Sequence, residues 1–361
     1  MIHFVYASTP GTGAVARLRG KASRLAQAVG LPLDYVSDRA ALDTSRWPAR
    51  APLSITHHVL QALRSLDEVR FYDWKERVAI RHQPDDVLIG HPFPGDLTTA
   101  FNRACLHGHF AARVALTPMH YGLPQYCQAI APALDACDHI LGIMGPYWFD
   151  TWSEGPFARW APKITHVDMA IEVGHFPRVK RAFNSPGRRK FLFIGNGEPY
   201  KGAHLLSHLF GQTQGKHECV WIGADRKLPN LERRPPQRLQ GAVMERLAAE
   251  CDIFLTMGIS DANPTTILES MAWGFPVACT PQSGYYRMRE IRELSTTDTA
   301  HNLAVLDYFQ SAAEGELLQL ADRARSLVET RFTFDRYTRT VVDTLLRLVP
   351  HLKTRWTGAL A

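Results

Sequence analysis

The chain lacks any apolar run approaching the ~20 residues that a membrane-spanning helix needs, which argues against a transmembrane protein. Its opening, MIHFVYASTPGTG, has no basic stretch leading into an apolar segment, so it reads as a first strand and not as a secretory signal. Internal repeats and low-complexity tracts are absent, which excludes a repeat array. Cysteine is sparse and unpaired in sequence: Cys105, Cys127, Cys137, Cys219, Cys251 and Cys279 form no C-x-x-C pair, and several sit in apolar runs such as ECDIFLTM and FPVACT. Buried free thiols in a reducing cytoplasm are expected, with neither disulfides nor a zinc site. The sixteen histidines supply no metal pattern either. His57 and His58 are adjacent, and His107-x-His109 has no further ligand close by.

What is present is ordinary in amount and specific in arrangement. The 361 residues are enough for two domains with a sizeable core each, and 45% hydrophobic with 21% charged residues suits a globular enzyme. The formal charge of +6 permits a polyanionic ligand or an anionic membrane surface without requiring either.

Short β-branched runs alternate with helical stretches, the pattern of parallel α/β sheets. Strands are expected at IHFVYA (2–7), LDYVS (33–37), VRFYD (69–73), DVLIG (86–90), RVALT (113–117), HILGIM (139–144) and KITHVDM (163–169). A helix is expected over 14–30, ended by Gly30. HFPRVKRAFNSPGRRK (175–190), with two prolines and six cations but no apolar period, marks the approach to a domain boundary. A second rhythm follows with strands FLFIG (191–195), ECVWIG (218–223), CDIFLTM (251–257) and PVACT (276–280), and with a long amphipathic helical region near the C-terminus. RKLPNLERRPPQRLQ (226–240) reads as a polar loop.

Three stretches carry candidate chemistry. PGTGAVA matches G-x-G-x-x-A at Gly11, Gly13 and Ala16, and Asp34 follows about twenty residues later, as in a dinucleotide site. The glycines suggest a tight strand-to-helix turn with exposed amides, and such a turn can face any phosphate or sugar. In FLFIGNGEPYKGAHLL a strand ends at Gly195, and Lys201-Gly202 opens a helix. Ligands of open parallel sheets bind beyond the carboxyl ends of the strands, so Lys201 would meet a diphosphate there. In DANPTTILESMAWGFPVACT, Asn263 is expected as the N-cap and Pro264 at the first helical position, with Asp261 before that helix and Glu269 inside it. Free amides at a helix start favour anions, so the carboxylates either complement the dipole or hold hydroxyls of a ligand whose phosphate the amides bind. The aromatic cluster PYWFDTWSEGPFARW (146–160) suits core packing, acceptor stacking or a membrane interface.

The order strand-Gly-x5-Lys-Gly-helix, followed by Asp261, Glu269, Met271-Ala272, Gly274 and Pro276-Val277 in register, resembles the C-terminal domain of glycosyltransferase family 4. VMERLAAECDIF and ARSLVETRFTFDRYT resemble neighbouring segments of that family, and DMAIEVGHFP (168–177) resembles its crossing between domains. The resemblance is clear over 165–345 and only topological over most of 1–164. Two positions depart from it. The family usually has Arg after the strand glycine, where this chain has Asn196, and Glu followed by Gly-Phe-Gly where this chain has Asp261 followed by Ala-Asn-Pro. Arg226 and Lys227 are the candidates to supply the charge that Asn196 lacks.

The resemblance implies an α/β chain of GT-B fold, two Rossmann-like domains facing a central cleft. The expected boundaries are 1–173 for an acceptor-side domain, 174–345 for a nucleotide-sugar-binding domain, and 346–361 for a tail or helix crossing back. It implies transfer of a hexosyl or deoxyhexosyl unit from a nucleotide-diphosphate sugar to a glycan or lipid-linked acceptor, with retention at the anomeric carbon. His120 and Asp261 would orient the sugar; Lys201, with the amides of Thr265 and Thr266, would hold the diphosphate; Glu269 would take the ribose hydroxyls. Gly11, Gly13, Gly195, Asn196 and Asn263 complete the expected donor site. No D-x-D triplet occurs, so neither a metal nor another cofactor is expected, and no nucleic-acid partner. The expected setting is the cytoplasm, with peripheral contact at the inner face of a membrane left open. Three other readings also stay open: an inactive GT-B nucleotide- or sugar-binding module, a GT-B sugar-phosphate epimerase or phosphorylase, and a nicotinamide-dependent oxidoreductase.

Overall fold

The computed structural model describes residues 1–9, 43–119, 123–151 and 158–354. Gly11, Gly13, Ala16, Asp34 and His120, the 14–30 helix and the 33–37 strand lie outside the described residues. The first part of the chain runs β1 (Ile2–Tyr6), α1 (Leu53–Arg64), β2 (Val69–Asp73), β3 (Val87–Gly90), α2 (Ala100–His107), β4 (Ala112–Pro118), α3 (Pro124–Ala136), β5 (His139–Ile143), α4 (Pro146–Thr151) and β6 (Ile164–Val167). Its strands form one sheet in the order β2-β1-β3-β4-β5-β6, every described pair parallel. β1 sits between β2 and β3, with Phe4 opposite Phe71 on one side and Ile89 on the other. Helices cover both faces of such a sheet, so its inner strands are buried along their whole length and do not alternate. That is why β1, β3 and β5 are buried at every residue.

The second part runs β7 (Lys190–Ile194), α5 (Ala203–Gln212), β8 (Glu218–Ile222), β9 (Glu232–Arg234), α6 (Ala242–Glu250), β10 (Ile253–Thr256), α7 (Thr265–Trp273), β11 (Val277–Cys279) and β12 (Ile291–Glu293). Its sheet has the order β12-β11-β10-β7-β8-β9, again parallel. Two of these strands correct the sequence reading. β9 lies inside the stretch read as a polar loop, and β12 had no strand signal. Each is three residues long at a sheet edge, where backbone pairing to one neighbour suffices and an apolar pattern is not needed.

Among the described residues three α-helices follow β12: α8 (Thr299–Ser311), α9 (Glu314–Thr330) and α10 (Phe334–Leu348). Thr333 caps α10, its hydroxyl accepting from the Arg336 amide at 3.4 Å. α10 buries Tyr337, Val341, Val342 and Leu345 at helical spacing and packs on α1, with Phe334 stacked on His58 at 3.9 Å between ring centroids. Val59, Leu60 and Leu63 of α1 are fully buried beneath it, each contributing about 1.5–3 kcal/mol by burial.

The stretch between the sheets is better anchored than its charge suggests. Lys180 and Arg189, read as part of a cationic run, are buried at 1% and 2% exposure. Lys180 Nζ bonds Asp252 Oδ1 and the Ala248 carbonyl, both at 2.7 Å. Arg189 Nη1 donates to the carbonyls of Phe309 (2.6 Å) and Ala312 (2.7 Å). Buried cations survive only when paired in this way. The two crossings are tied to each other as well: the Ile171 amide donates to the Phe332 carbonyl (3.1 Å), and Arg331 Nε to Asp168 (2.9 Å). All six cysteines are free and buried. Among the described residues no helix is long and apolar enough to cross a membrane.

Candidate functional site

The site is built at the carboxyl ends of β7 and β10, neighbours in the second sheet. After β7 the chain passes Gly195 and the exposed Asn196, then makes a short turn over Pro199–Lys201. Lys201 ends that turn and does not open the helix. Gly202 caps α5 in the left-handed region (φ +75°), and a Cβ there would lie 1.8 Å from the Met257 carbonyl oxygen. Only glycine allows so close a contact between the two loops. The Tyr200 carbonyl accepts from the Ile259 amide at 2.9 Å, which fixes the register of that contact.

This packing brings Lys201 onto Asp261. The ammonium donates to Asp261 Oδ2, in an ion pair whose acid is buried and whose lysine side chain is 24% exposed. The two residues expected to act on different parts of a ligand are therefore each other's partner. An ammonium has three N–H donors, so the pair leaves two for a ligand.

Asp261 leads into α7, whose start differs by one residue from expectation. The N-cap is Pro264 (φ −66°, ψ 125°) and not Asn263, and no side chain caps the helix. Proline suits a position whose N–H has no helical role, and its extended ψ leaves Asn263 outside the cap. The Asn263 amide group is buried, and neither its nitrogen nor its oxygen has a hydrogen-bond partner among the described residues. Thr265 and Thr266 form the half-buried first turn, whose amides have no acceptor within the helix. Glu269, one turn on, is 3% exposed. Burial pushes its carboxyl above the usual range, against the opposing pull of the Arg50 guanidinium and a hydrogen bond to Thr265.

Two residues of the site come from the first part of the chain: Arg50, which had no functional signal in sequence, and Trp148, which belongs to the aromatic cluster 146–160. Arg50, just before α1, places Nη2 3.8 Å from Glu269 Oε2. Trp148 of α4 donates its indole N–H to the carbonyls of Asp261 and Gln282, each at 3.2 Å. Around Trp148 the parts meet backbone to backbone. The Gly145 amide donates to the Ala262 carbonyl (2.7 Å) and the Tyr147 amide to that of Gly284 (3.1 Å). A Cβ on Gly145 would lie 2.1 Å from the Gly284 carbonyl oxygen. The aromatic cluster thus serves the join between the two parts in its Tyr147-Trp148 portion; residues 152–157 lie outside the described residues. Arg226, expected to compensate for Asn196, bonds its neighbour Asp225 at 3.3 Å. No group of three His, Cys, Asp or Glu placed to hold a metal occurs among the described residues.

Residues 188–303, which contain all of these second-part residues, match the family model described as Glycosyl transferases group 1. The chain finds no match among curated proteins. Solved structures do share its architecture. A glycosyltransferase from Rickettsia africae ESF-5 is 12% identical with TM-score 0.54, over 96% of this chain and 98% of the other. An alpha-glucosyltransferase in complex with UDP-glucose and DNA containing an abasic site is 11% identical with TM-score 0.51, over 95% and 98%. TarM is 9% identical with TM-score 0.54, over 75% of this chain, which spans 56% of TarM. With two parallel six-stranded sheets and two structural likenesses that span 95% or more of both chains, the chain has the GT-B fold, and its second sheet lies in the segment that matches the group 1 glycosyl transferases.

Proposed function

We propose that this chain is a glycosyltransferase that moves a sugar from a nucleotide-diphosphate donor to an acceptor hydroxyl. The observation that carries the reading is the opening of α7. Free first-turn amides, the Lys201–Asp261 pair and the buried Glu269 converge there, inside the segment that matches the group 1 family model. Free amides and an ammonium suit a diphosphate. A buried carboxylate suits ribose hydroxyls, which donate hydrogen bonds where water cannot. Asp261, fixed by Lys201, keeps lone pairs to orient a sugar hydroxyl, with His120 as the expected partner from the other side.

In the proposed reaction the bond from the anomeric carbon to the diphosphate oxygen breaks, and its electron pair leaves with the nucleotide. A bond from the acceptor oxygen to that carbon forms, and the acceptor proton passes to the leaving oxygen. Delivery and departure on one face correspond to retention. Lys201 and the α7 amides stabilise the charge that develops on the leaving group, without a metal. The acceptor is proposed to be a glycan or a lipid-linked sugar, and the transferred unit a hexose or deoxyhexose.

Thermal-shift measurements with UDP, GDP, dTDP and NAD test the donor class, and nucleotide release from the matching sugar donor tests turnover. Stabilisation by one nucleoside diphosphate and not by NAD is expected, with release accelerated by acceptor. Stabilisation by NAD alone would replace this reading with an oxidoreductase. Binding with no turnover would favour an inactive binding module, a reading that the uncharged Asn196 makes specific.

A further inference from the structure

Arg50 is held by the first sheet's own architecture. Its carbonyl accepts from the amides of Leu53 (3.1 Å) and Ser54 (3.2 Å) at the start of α1, so the backbone from which its side chain departs is fixed. That side chain crosses to α7, where Nη2 lies 3.8 Å from Glu269 Oε2. The separation is too long for a hydrogen bond, and the attraction is ionic only. The side chain as a whole is 39% exposed, yet Nη2 itself is buried and has no hydrogen-bond partner among the described residues. A guanidinium so placed has its fork of donors largely unspent.

Charge around this opening explains what such a group would do. Lys201 is neutralised by Asp261, and Arg226 by Asp225. Arg50 is the cation that stands against Glu269. Among the described residues no other cation is paired with Glu269, so without Arg50 that carboxyl would stand at the helix start with no counter-charge beside it. A second unsatisfied group lies at the same opening: Asn263 is 8% exposed, and both polar atoms of its amide are buried without partners among the described residues. A buried amide in that condition favours a ligand that can receive its N–H.

We propose that Arg50 is a donor-binding residue supplied from the first sheet, taking the diphosphate at the α7 start together with the Asn263 amide. The proposal rests on the donor reading above and deepens it. Its guanidinium matches phosphate oxygens two at a time, which Asn196 cannot do. Ribose hydroxyls donating to Glu269 release Arg50 from its loose ion pair, and the fork turns to the phosphates. The donor then bridges both parts of the chain, so its diphosphate, and not its nucleoside, senses the first sheet.

The test is calorimetric titration of the full chain with uridine, guanosine and thymidine and with their diphosphates. It compares the wild type with Arg50→Ala and Arg50→Lys, each also in a Glu269→Gln background. Arg50→Ala is expected to weaken the diphosphate by about tenfold or more, the usual scale for a charged hydrogen bond, and to change the nucleoside by less than about twofold. Arg50→Lys should fall between, since it keeps charge and loses the fork. The loss should persist when Glu269 is Gln. Equal effects on nucleoside and diphosphate, no effect on either, or disappearance of the effect in Glu269→Gln would each overturn the assignment and leave Arg50 a partner of Glu269 alone. A wild type that binds none of the six compounds would instead overturn the donor reading, and this assignment with it.

Discussion

The indole N–H of Trp148, on a helix of the first sheet, lies 3.2 Å from the backbone carbonyl of Asp261, the residue of the second sheet that pairs with Lys201. One donor from one part thus orients the loop that carries the site's acid–cation pair in the other. Trp148→Phe keeps most of the buried ring and removes that donor. The expected cost is about 1–3 kcal/mol, the price of leaving a buried polar group without its bond. If the bond positions Asp261, kcat for nucleotide release falls while the donor Kd barely moves. A variant that loses only thermal stability, with kcat intact, would make Trp148 a packing residue.

Glu269 carries a carboxyl raised by burial, so its charge opposes folding. Its folded pKa lies above the unfolded one, so the folded form holds the proton more tightly. Stability from this group is therefore full below the unfolded value and lost as pH rises through the folded one. Glu269→Gln is expected to raise Tm at pH 7, with the gain shrinking as pH falls toward the ordinary glutamate range. Nucleotide affinity should drop in the same variant. A lower Tm at pH 7 would mean that Arg50 and Thr265 outweigh the burial.

Lys201→Ala should slow nucleotide release by about 2–4 kcal/mol in transition-state stabilisation if the ammonium meets the leaving group. It also strips Asp261 of its partner, so Lys201→Ala/Asp261→Asn is the control: the double variant should regain stability and stay slow. The wild-type initial rate should survive excess EDTA nearly unchanged. Complete loss with chelator, restored by magnesium or manganese, would route the phosphate chemistry through a metal.

Lys180→Met leaves Asp252 buried at 0% exposure without its cation. Removing one partner of such a pair costs about 3–5 kcal/mol, so chemical denaturation should show a lower midpoint with the slope unchanged. Replacing both residues with apolar side chains should recover part of the loss. An unaltered midpoint in Lys180→Met would show that the ion pair does not hold this stretch in place.

The sequence by itself determined the architecture. Short β-branched and apolar runs alternating with helical stretches mark parallel α/β sheets, and β1 through β8, β10 and β11 announce themselves in that way. It also singled out the residues near one another in the chain: Asp261, Asn263, Thr265, Thr266 and Glu269 share one loop and helix start. The tertiary structure decided what local pattern cannot carry. β9 and β12 exist because a sheet edge offers backbone partners whatever the side chains. Pro264 displaced Asn263 from the cap because proline's own φ and missing N–H fit the position better. Lys180 and Arg189 look like solvated charge in sequence and are buried, since their partners, Asp252 and the Phe309 and Ala312 carbonyls, are remote in the chain. Lys201 became Asp261's partner, and Arg50 and Trp148 joined the site, for the same reason. Contacts between distant segments depend on how the sheets come together: Arg50 bears no local mark at all, and the aromatic cluster around Trp148 shows in sequence without showing which carbonyls its indole will meet.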